Sequence, residues 1–154
     1  MKKLKINRHF VFIEAPLSLV WPEVLAWGEA SWWPKGCRMR FIRQTEGEVA
    51  VGTRFEQRVL LPLGPRWHAQ VTRCVHFSTI ERTFVDGLFR GLERVTVEER
   101  ANGTRVDYTM EYRIRGAVNA LLWDLVFERL HDQNLEMILA ALKRYMTEKM
   151  KEAS

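Results

Sequence analysis

The last quarter of the chain limits the fold more than any other stretch. From residue 117 to about residue 150 no Pro or Gly interrupts the sequence, and Leu, Ala, Met, Glu, Lys and Arg dominate, as they do in helices. At ~1.5 Å per residue such a helix is on the order of 50 Å long, whereas a globular chain of this size has a radius of gyration of about 15 Å. The predicted helix therefore crosses the whole molecule, and the rest of the chain must pack against it.

The apolar side chains of this helix fall into two groups. They are Val118, Leu121, Leu122 and Leu125 in the first half, and Leu135, Ile138, Leu139, Leu142, Tyr145 and Met146 in the second. At ~100° per residue the two groups lie about a third of a turn apart around the helix axis. Either the helix bends in the polar run 128–134, or its first half is buried on a wider arc. In the second alternative, Trp123, Phe127 and Leu130 form an additional apolar ridge at positions i, i+4 and i+7 of the helix. We expect an apolar surface of the protein to pack against this ridge.

Six segments before this helix are rich in residues that favour strands, and turn residues such as Asp86-Gly87 and Asn102-Gly103 separate them. The segments are 38–44, 53–61, 66–77, 80–86, 91–100 and 104–115. Their short, regular spacing predicts an antiparallel meander. A further strand is predicted at 5–14, followed by a helix at 17–26 that begins after Pro16 and that Pro22 kinks or breaks.

Alternation along the strands predicts which face of the sheet is covered. The covered face holds Thr104, Val106, Tyr108, Met110, Tyr112 and Ile114 in the last strand, Phe55, Gln57 and Val59 in an earlier one, and Trp67, Ala69, Val71, Val75 and Phe77 in the next. Because helices are predicted only at the two ends of the chain, the simplest arrangement is a sheet curled around the long helix. We expect residues 1–154 to form a single α+β domain of this kind.

The composition is that of an ordinary globular domain, with 47% hydrophobic and 28% charged residues. No run approaches the ~20 apolar residues of a membrane span, and residues 1–10 contain lysines without the apolar core of a signal peptide. We therefore expect a cytoplasmic protein. The net charge of +5 comes from basic residues interleaved with acids and without an aromatic platform, so nucleic-acid binding is not predicted.

The sequence contains no phosphate-binding loop, dinucleotide motif, HExxH or GxSxG, so we predict no cofactor. Cys37 and Cys74 are too few and too far apart for a disulfide framework or a zinc ribbon. His68 and His76 share a strand face but lie about 26 Å apart at ~3.3 Å per residue, too far for a shared metal ion. No metal site is predicted either.

Several short motifs, weak individually, occur in a characteristic order. They are Ile13-Glu14-Ala15-Pro16 followed by Val20-Trp21, then Trp32-Trp33-Pro34, Val51-Gly52-Thr53, Asp86-Gly87 to Gly91, and Gly103-Thr104-Arg105-Val106 before the long helix. Over nearly its whole length the chain resembles the Bet v 1/START-like (SRPBCC) helix-grip superfamily, particularly its polyketide cyclase/dehydrase-like branch. The resemblance implies a curved antiparallel sheet wrapped around a long C-terminal helix, with two short helices after the first strand. It also implies a cavity between sheet and helix that binds lipids, isoprenoid quinones, polyketides or hormones.

The covered faces of the sheet and helix supply the candidate ligand-binding residues. These are Phe55, Gln57, Val59, Trp67, Val71, Tyr108, Met110, Tyr112, Leu122, Trp123, Leu125 and Val126. Tyr108 and Tyr112 are also the candidate catalytic residues, because a phenol on a covered face can orient a ligand oxygen or act as a general acid. Alternatively each hydroxyl finds a backbone carbonyl or a water and is purely structural.

Two further sets of residues have weaker assignments. Arg82, Asp86, Glu93 and Arg94 either supply a charged group at the mouth of the pocket or form exposed cross-strand pairs, and the sequence leaves their facing open. His9 is expected on the surface, either as a capping residue or at a strand edge, and His131 is expected on the surface within the polar part of the helix.

Three hypotheses about function follow. The first is binding or transport of a small hydrophobic or amphipathic ligand between sheet and helix, without metal or nucleotide. The second is a cyclase, dehydratase or hydrolase that uses Tyr108, Tyr112 or a carboxylate at the mouth for proton transfer. The third is an interaction module in which Trp123, Phe127, Leu130 or the basic tail 143–151 contacts a protein partner or, transiently, an anionic membrane surface. The chain is either a monomer or a homodimer.

Overall fold

The protein is a seven-stranded antiparallel sheet closed by a long C-terminal helical segment, as seen in a computed structural model that describes residues 3–154. Met1 and Lys2, which fall in the segment 1–10 considered above for a signal peptide, lie outside the described residues. The elements in chain order are β1 (Lys5–Ile13), α1 (Leu17–Leu25), β2 (Met39–Arg43), β3 (Arg54–Val59), β4 (Arg66–Val75), β5 (Thr79–Phe84), β6 (Phe89–Arg100), β7 (Gly103–Ile114), α2 (Ala117–Leu122), a π-helix (Trp123–Phe127) and α3 (Glu128–Glu152).

The strand order confirms the predicted meander. It runs β1-β7-β6-β5-β4-β3-β2, with every neighbouring pair antiparallel. Strands β2 to β7 pair in chain order, as short turns dictate, and β1 joins the far side of β7. The curled sheet and the long C-terminal helix confirm the α+β helix-grip fold. None of the helices within residues 3–154 combines the length and apolar character that crossing a bilayer requires.

One short helix, α1, follows the first strand, and a series of turns replaces the second short helix. Pro22 lies inside α1 without ending it, and Ala26 donates its backbone N–H to the carbonyl of Pro22. Gly28 then adopts a φ of +86°, which ends helical geometry, and a side chain there would collide with Phe41 of β2. The chain around Trp27 therefore lies tightly against the sheet.

A β-bulge in β4 changes the facing of the end of that strand. The register with β5 shifts between Val71 and Arg73, so residues beyond the shift change sides. Val75 and Phe77, predicted on the covered face, are 40% and 41% exposed, while Cys74 is half-buried against the core. The strict alternation predicted for 66–77 is therefore wrong beyond the bulge.

The C-terminal segment is continuous, but it changes character at the π-helix. A π-turn contains about one residue more than an α-turn and so rotates the helix face. Before and within it the predicted apolar stripe is wrong, because Val118, Leu121, Leu122 and Leu125 all face solvent. Beyond it the prediction is confirmed, and the buried members are Leu135, Ile138, Leu139, Leu142 and Met146. The ridge residue Trp123 is buried, which places an aromatic ring under the helix where it crosses the sheet.

A polar row holds the helical segment against the edge strand β1. Lys5 contacts Asp124 and, at 3.2 Å, Glu128. Asn7 donates to Asp132, and the His9 ring nitrogen Nε2 lies 3.2 Å from the same carboxylate. His9 thus lies at a strand edge, as predicted.

Candidate functional site

The concave face of the sheet gathers nine of the twelve predicted ligand-binding residues. They are Phe55, Gln57, Val59, Trp67, Val71, Tyr108, Met110, Tyr112 and Trp123, all of them buried. Leu122, Leu125 and Val126 are instead 45%, 70% and 49% exposed, because the π-helix turns them away from the sheet. Their predicted position inside the pocket is wrong, whereas ligand binding by the other nine stays a prediction.

A buried hydrogen-bonded cluster lies in the middle of this face. The carboxylate of Glu93 accepts a hydrogen bond from Gln57 Nε2 at 2.6 Å on one oxygen and from the Tyr108 hydroxyl at 2.8 Å on the other. Trp67 Nε1 donates to Gln57 Oε1 at 2.8 Å and so fixes the orientation of that amide. Both oxygens of Glu93 thus have donors, which suits an ionised carboxylate.

Arg82 lies beside this cluster and is 0% exposed. Its Nη1 lies 3.7 Å from Glu93 Oε1, which is an ion pair but too long for a hydrogen bond. The guanidinium faces the ring of Phe55 at 5.0 Å and that of Phe41 at 5.8 Å. Within residues 3–154, none of its three nitrogens has a hydrogen-bond partner. The interior therefore holds a cation whose donors are unused.

Burial controls the protonation of these groups. Burial raises the pKa of the Glu93 carboxyl, and the positive charge of Arg82 offsets only part of this rise. Burial likewise lowers the pKa of the Arg82 guanidinium, and the negative charge of Glu93 offsets only part of that fall. Burial and the adjacent Glu93 carboxylate raise the pKa of Tyr108 well above its ordinary value. Burial also raises the pKa of Tyr112 to about 12. Both phenols are therefore protonated donors at neutral pH.

A second interior group forms where the π-helix meets β7. Trp123 Nε1 donates to the Tyr112 hydroxyl at 2.9 Å, and the Trp123 ring contacts Phe89 edge-on at 4.8 Å. His131 lies next to this group, with ring centroids 6.1 Å from Tyr108 and 5.7 Å from Trp123. The predicted surface position of His131 is wrong, because α3 leaves the π-helix with this side facing the sheet.

His131 is only 4% exposed, and burial lowers its pKa to about 4, so the imidazole is neutral at ordinary pH. Its Nε2 has no hydrogen-bond partner in the described part of the chain. The same holds, among residues 3–154, for Nε1 of Trp27, whose ring stacks on Tyr108 with centroids 6.1 Å apart. Two buried rings that lie beside Tyr108 thus each carry an unused nitrogen.

The structure settles the facing of the four charged residues that the sequence left open. Arg82 and Glu93 point inward, while Arg94 pairs with Glu81 at 2.8 Å and Asp86 pairs with His68 at 2.8 Å on the outer face. The sequence signal that could have placed Arg82 and Glu93 inside is the alternation of side chains along β5 and β6. Arg82 lies between Ile80 and Phe84, and Glu93 precedes Val95 and Val97, all of them buried.

Several side chains of the concave face contact one another directly, as the hydrogen bonds Trp67–Gln57, Gln57–Glu93 and Trp123–Tyr112 show. Clefts of about 490 to 590 Å³ lie on the surface of the described part of the chain, and Gln57, Tyr108 and Tyr112 line none of these. The 590 Å³ cleft lies between the start of β1 and α2, where Leu4, Ile6, Ile114 and Ala120 form its apolar part. A 530 Å³ cleft lies between α1 and the strands, and Trp21, Glu29 and Cys74 contribute to its lining. Across residues 3–154, no three His, Cys, Asp or Glu side chains are grouped as a metal ion would need.

Comparison with known proteins assigns the family. The family model described as "Polyketide cyclase / dehydrase and lipid transport" matches residues 8–147. The sequence comparison with curated proteins finds no match.

Solved structures with the same fold include the ZhuI aromatase/cyclase from Streptomyces sp. R1128, with a TM-score of 0.71, 15% identity and coverage of 99% of both chains. A protein from Thermus thermophilus also has a TM-score of 0.71, with 16% identity and coverage of 94% of this chain and 99% of that one. Norcoclaurine synthase from Thalictrum flavum, in complex with dopamine and hydroxybenzaldehyde, has a TM-score of 0.68, 13% identity and coverage of 96% and 88%. At these identities the likeness concerns the fold.

Ligand binding and cyclase roles both fit this family and fold. The matched family model covers most of the chain, and the sheet, the long helix and the enclosed polar groups agree with it. The chain belongs to the polyketide cyclase/dehydrase and lipid transport family.

Proposed function

We propose that residues 1–154 work as one domain that binds and carries a small hydrophobic or amphipathic molecule between the concave face of the sheet and α3. The observation that carries this proposal is the set of buried polar groups around Tyr108 that lack hydrogen-bond partners within residues 3–154, above all Arg82. An apolar wall with a few convergent polar groups is the usual lining of a ligand site.

The energetics of burial support this proposal. Each buried polar group without a partner destabilises the fold by about 1–3 kcal/mol, and well-packed apolar residues often replace a buried ion pair without loss of stability. A core with only a structural role therefore gains little from Arg82, Glu93 and His131. A ligand with oxygen acceptors supplies the missing partners.

Ligand entry requires part of the C-terminal helical segment to separate from the concave face of the sheet. Within the C-terminal helical segment 117–152, which covers the sheet, the least buried part is α2, which has no buried residue. The π-helix is next, and of its residues only Trp123 is buried. We propose that α2 and the π-helix move away from the sheet as the ligand enters. The exposed Val118, Leu121 and Leu125 favour a transient contact of this segment with a membrane surface from which a lipid could be taken.

Native mass spectrometry of gently purified protein, before and after incubation with a total lipid and quinone extract, tests the proposal. We expect a discrete added mass that organic extraction removes. Val71→Phe, which narrows the interior, should reduce the bound fraction, whereas Val51→Phe on an exposed turn should not. Circular dichroism would verify that both variants fold. Absence of any added mass in the wild-type protein would reject carriage of a ligand.

A second candidate is a cyclase or dehydratase activity, which the neutral His131 and the protonated tyrosines favour. His131 Nε2 can accept a proton from a carbon next to one carbonyl, and the resulting enolate attacks the carbon of a second carbonyl, whose oxygen takes the proton of the Tyr112 hydroxyl. The proton held by His131 then returns to the Tyr112 oxygen. Incubation with a synthetic linear poly-β-ketone, followed by mass and NMR analysis, tests this activity. Tyr108→Phe and Tyr112→Phe should then abolish turnover while binding survives. Undiminished turnover in both variants would exclude these assignments.

A further inference from the structure

We propose that the ligand of this interior carries an acidic group, such as a carboxylate, and that Arg82 is the residue that pairs with it. This inference rests on the proposed function and adds the chemical class of the ligand. Its basis is a fully buried guanidinium whose three nitrogens donate no hydrogen bond to any group within residues 3–154.

Glu93 is already occupied by other donors. One of its oxygens accepts from Gln57 at 2.6 Å and the other from Tyr108 at 2.8 Å, while the nearest Arg82 nitrogen is 3.7 Å away. Gln57 is in turn held by Trp67 at 2.8 Å. Turning the carboxylate toward Arg82 would break these bonds, so Glu93 balances the charge of Arg82 without using its N–H groups.

The other neighbours of Arg82 do not use its donors either. The rings of Phe55 and Phe41 face the guanidinium at 5.0 and 5.8 Å, an arrangement that stabilises the cation and accepts none of its in-plane N–H bonds. Glu29 is near enough for its charge to act on Arg82, but Arg43 already binds its two oxygens at 2.8 Å each. The N–H groups of the planar Arg82 guanidinium are thus available to a carboxylate, which can accept two parallel N–H···O hydrogen bonds from them.

A surface cleft shares two residues with the electrostatic surroundings of Arg82. Glu29 and Cys74, both electrostatic neighbours of Arg82, contribute to the 530 Å³ cleft between α1 and the strands. Trp21 also lines this cleft, and in the described chain its buried Nε1 has no hydrogen-bond partner. The acidic end of a ligand admitted by the movement of α2 and the π-helix would lie at Arg82, and its apolar body would lie along the aromatic side chains of the concave face.

Isothermal titration calorimetry with matched acids and amides tests the inference. The probes are 2-naphthoate against 2-naphthamide, and decanoate against decanamide, so that each pair differs in charge and hardly in shape. We expect the wild-type protein to bind at least one acid about tenfold or more tighter than its amide, as a charge-assisted hydrogen-bonded pair provides. If the amides bind as tightly as the acids, the inference is wrong and the proposed function stands. If no probe binds and native mass spectrometry also finds no ligand, both fail.

Variants connect the preference to Arg82. Because removing Arg82 alone leaves Glu93 without its counter-charge, the test variant is the double replacement Arg82→Met with Glu93→Gln. It should bind each acid and its amide within about twofold of one another, with circular dichroism verifying the fold. The control is Arg94→Met, which removes an arginine of the same sheet that pairs with Glu81 on the outer face, and it should retain the preference. Retention of the preference in the double variant would overturn the assignment to Arg82.

Discussion

A single buried histidine makes the stability of this protein sensitive to mildly acidic pH. Burial lowers the pKa of His131 from 6.5 to about 4, against the opposing charge of Asp132. Between these values the unfolded chain binds a proton that the folded protein does not bind. The free energy of unfolding therefore keeps its full value, as far as His131 is concerned, above about pH 6.5. It decreases as the pH falls toward 4, by about 3 kcal/mol in total.

We predict that His131→Leu removes this part of the pH dependence. The free energy of unfolding, measured by urea titration at pH 7 and pH 5, should change less with pH in the variant than in the wild-type protein. Val51→Leu on an exposed turn removes no titratable group, is the control and should leave the pH dependence as it is in the wild type. An unchanged slope in His131→Leu would show that other groups cause it.

Single residues also show how far sequence reasoning reaches. Alternation correctly placed Phe55, Gln57 and Tyr108 on the covered face, because the side-chain period of a strand is two wherever the register is unbroken. The same rule places Arg82 and Glu93 inside, but a charged side chain is ordinarily expected in water unless a partner is known. Arg82 and Glu93 lie opposite one another in the neighbouring strands β5 and β6, but Gln57 comes from β3, which lies two strands beyond β5 in the sheet. The three-dimensional structure is needed to bring Gln57 to this pair.

Among the elements, the connection between α1 and β2 is the most tightly fitted. We predict that Gly28→Ala destabilises the protein more than Gly47→Ala does. Both glycines have positive φ, +86° and +93°, so both replacements cost about 1–2 kcal/mol of backbone strain. A methyl group at Gly28 also collides with Phe41, whereas at Gly47 it meets nothing within 4 Å among the described residues, so Gly28→Ala should cost a further ~1–3 kcal/mol. Urea unfolding of both variants measures the difference, and equal costs would contradict a close fit at Phe41.

Irregular elements mark the limit of prediction at this scale. The existence of the strands and of the long helix followed from periodicity and turn residues. The β-bulge after Val71 and the π-helix at Trp123–Phe127 each add one residue to a regular pattern, and no local residue type requires either insertion. Tertiary packing selects them. The wrong facing of Val75, Phe77, Leu122 and Leu125 is the direct result.

For the whole molecule, the uneven packing of the C-terminal helical segment against the sheet leads to a prediction about hydrogen exchange. Backbone amides in 117–127 should exchange with deuterium faster than those in 134–146, because the former segment has one buried side chain, Trp123, and the latter has several. A bound ligand should slow exchange in 117–127 more than in the sheet. Hydrogen exchange detected by mass spectrometry measures both effects, and uniform protection along the helix would exclude opening at this end.

The polar row between β1 and the helix has a geometric consequence for the whole fold. Lys5, Asn7 and His9 recur at every second position, and Asp124, Glu128 and Asp132 at every fourth. Lys5 contacts both Asp124 and Glu128, while Asn7 and His9 both contact Asp132, so the contacts extend over about two turns of the helical segment. A slide of the helix by a single residue would separate these pairs together. The edge strand thus sets the axial position of the helix, and with it the depth to which Trp123 and His131 reach into the interior.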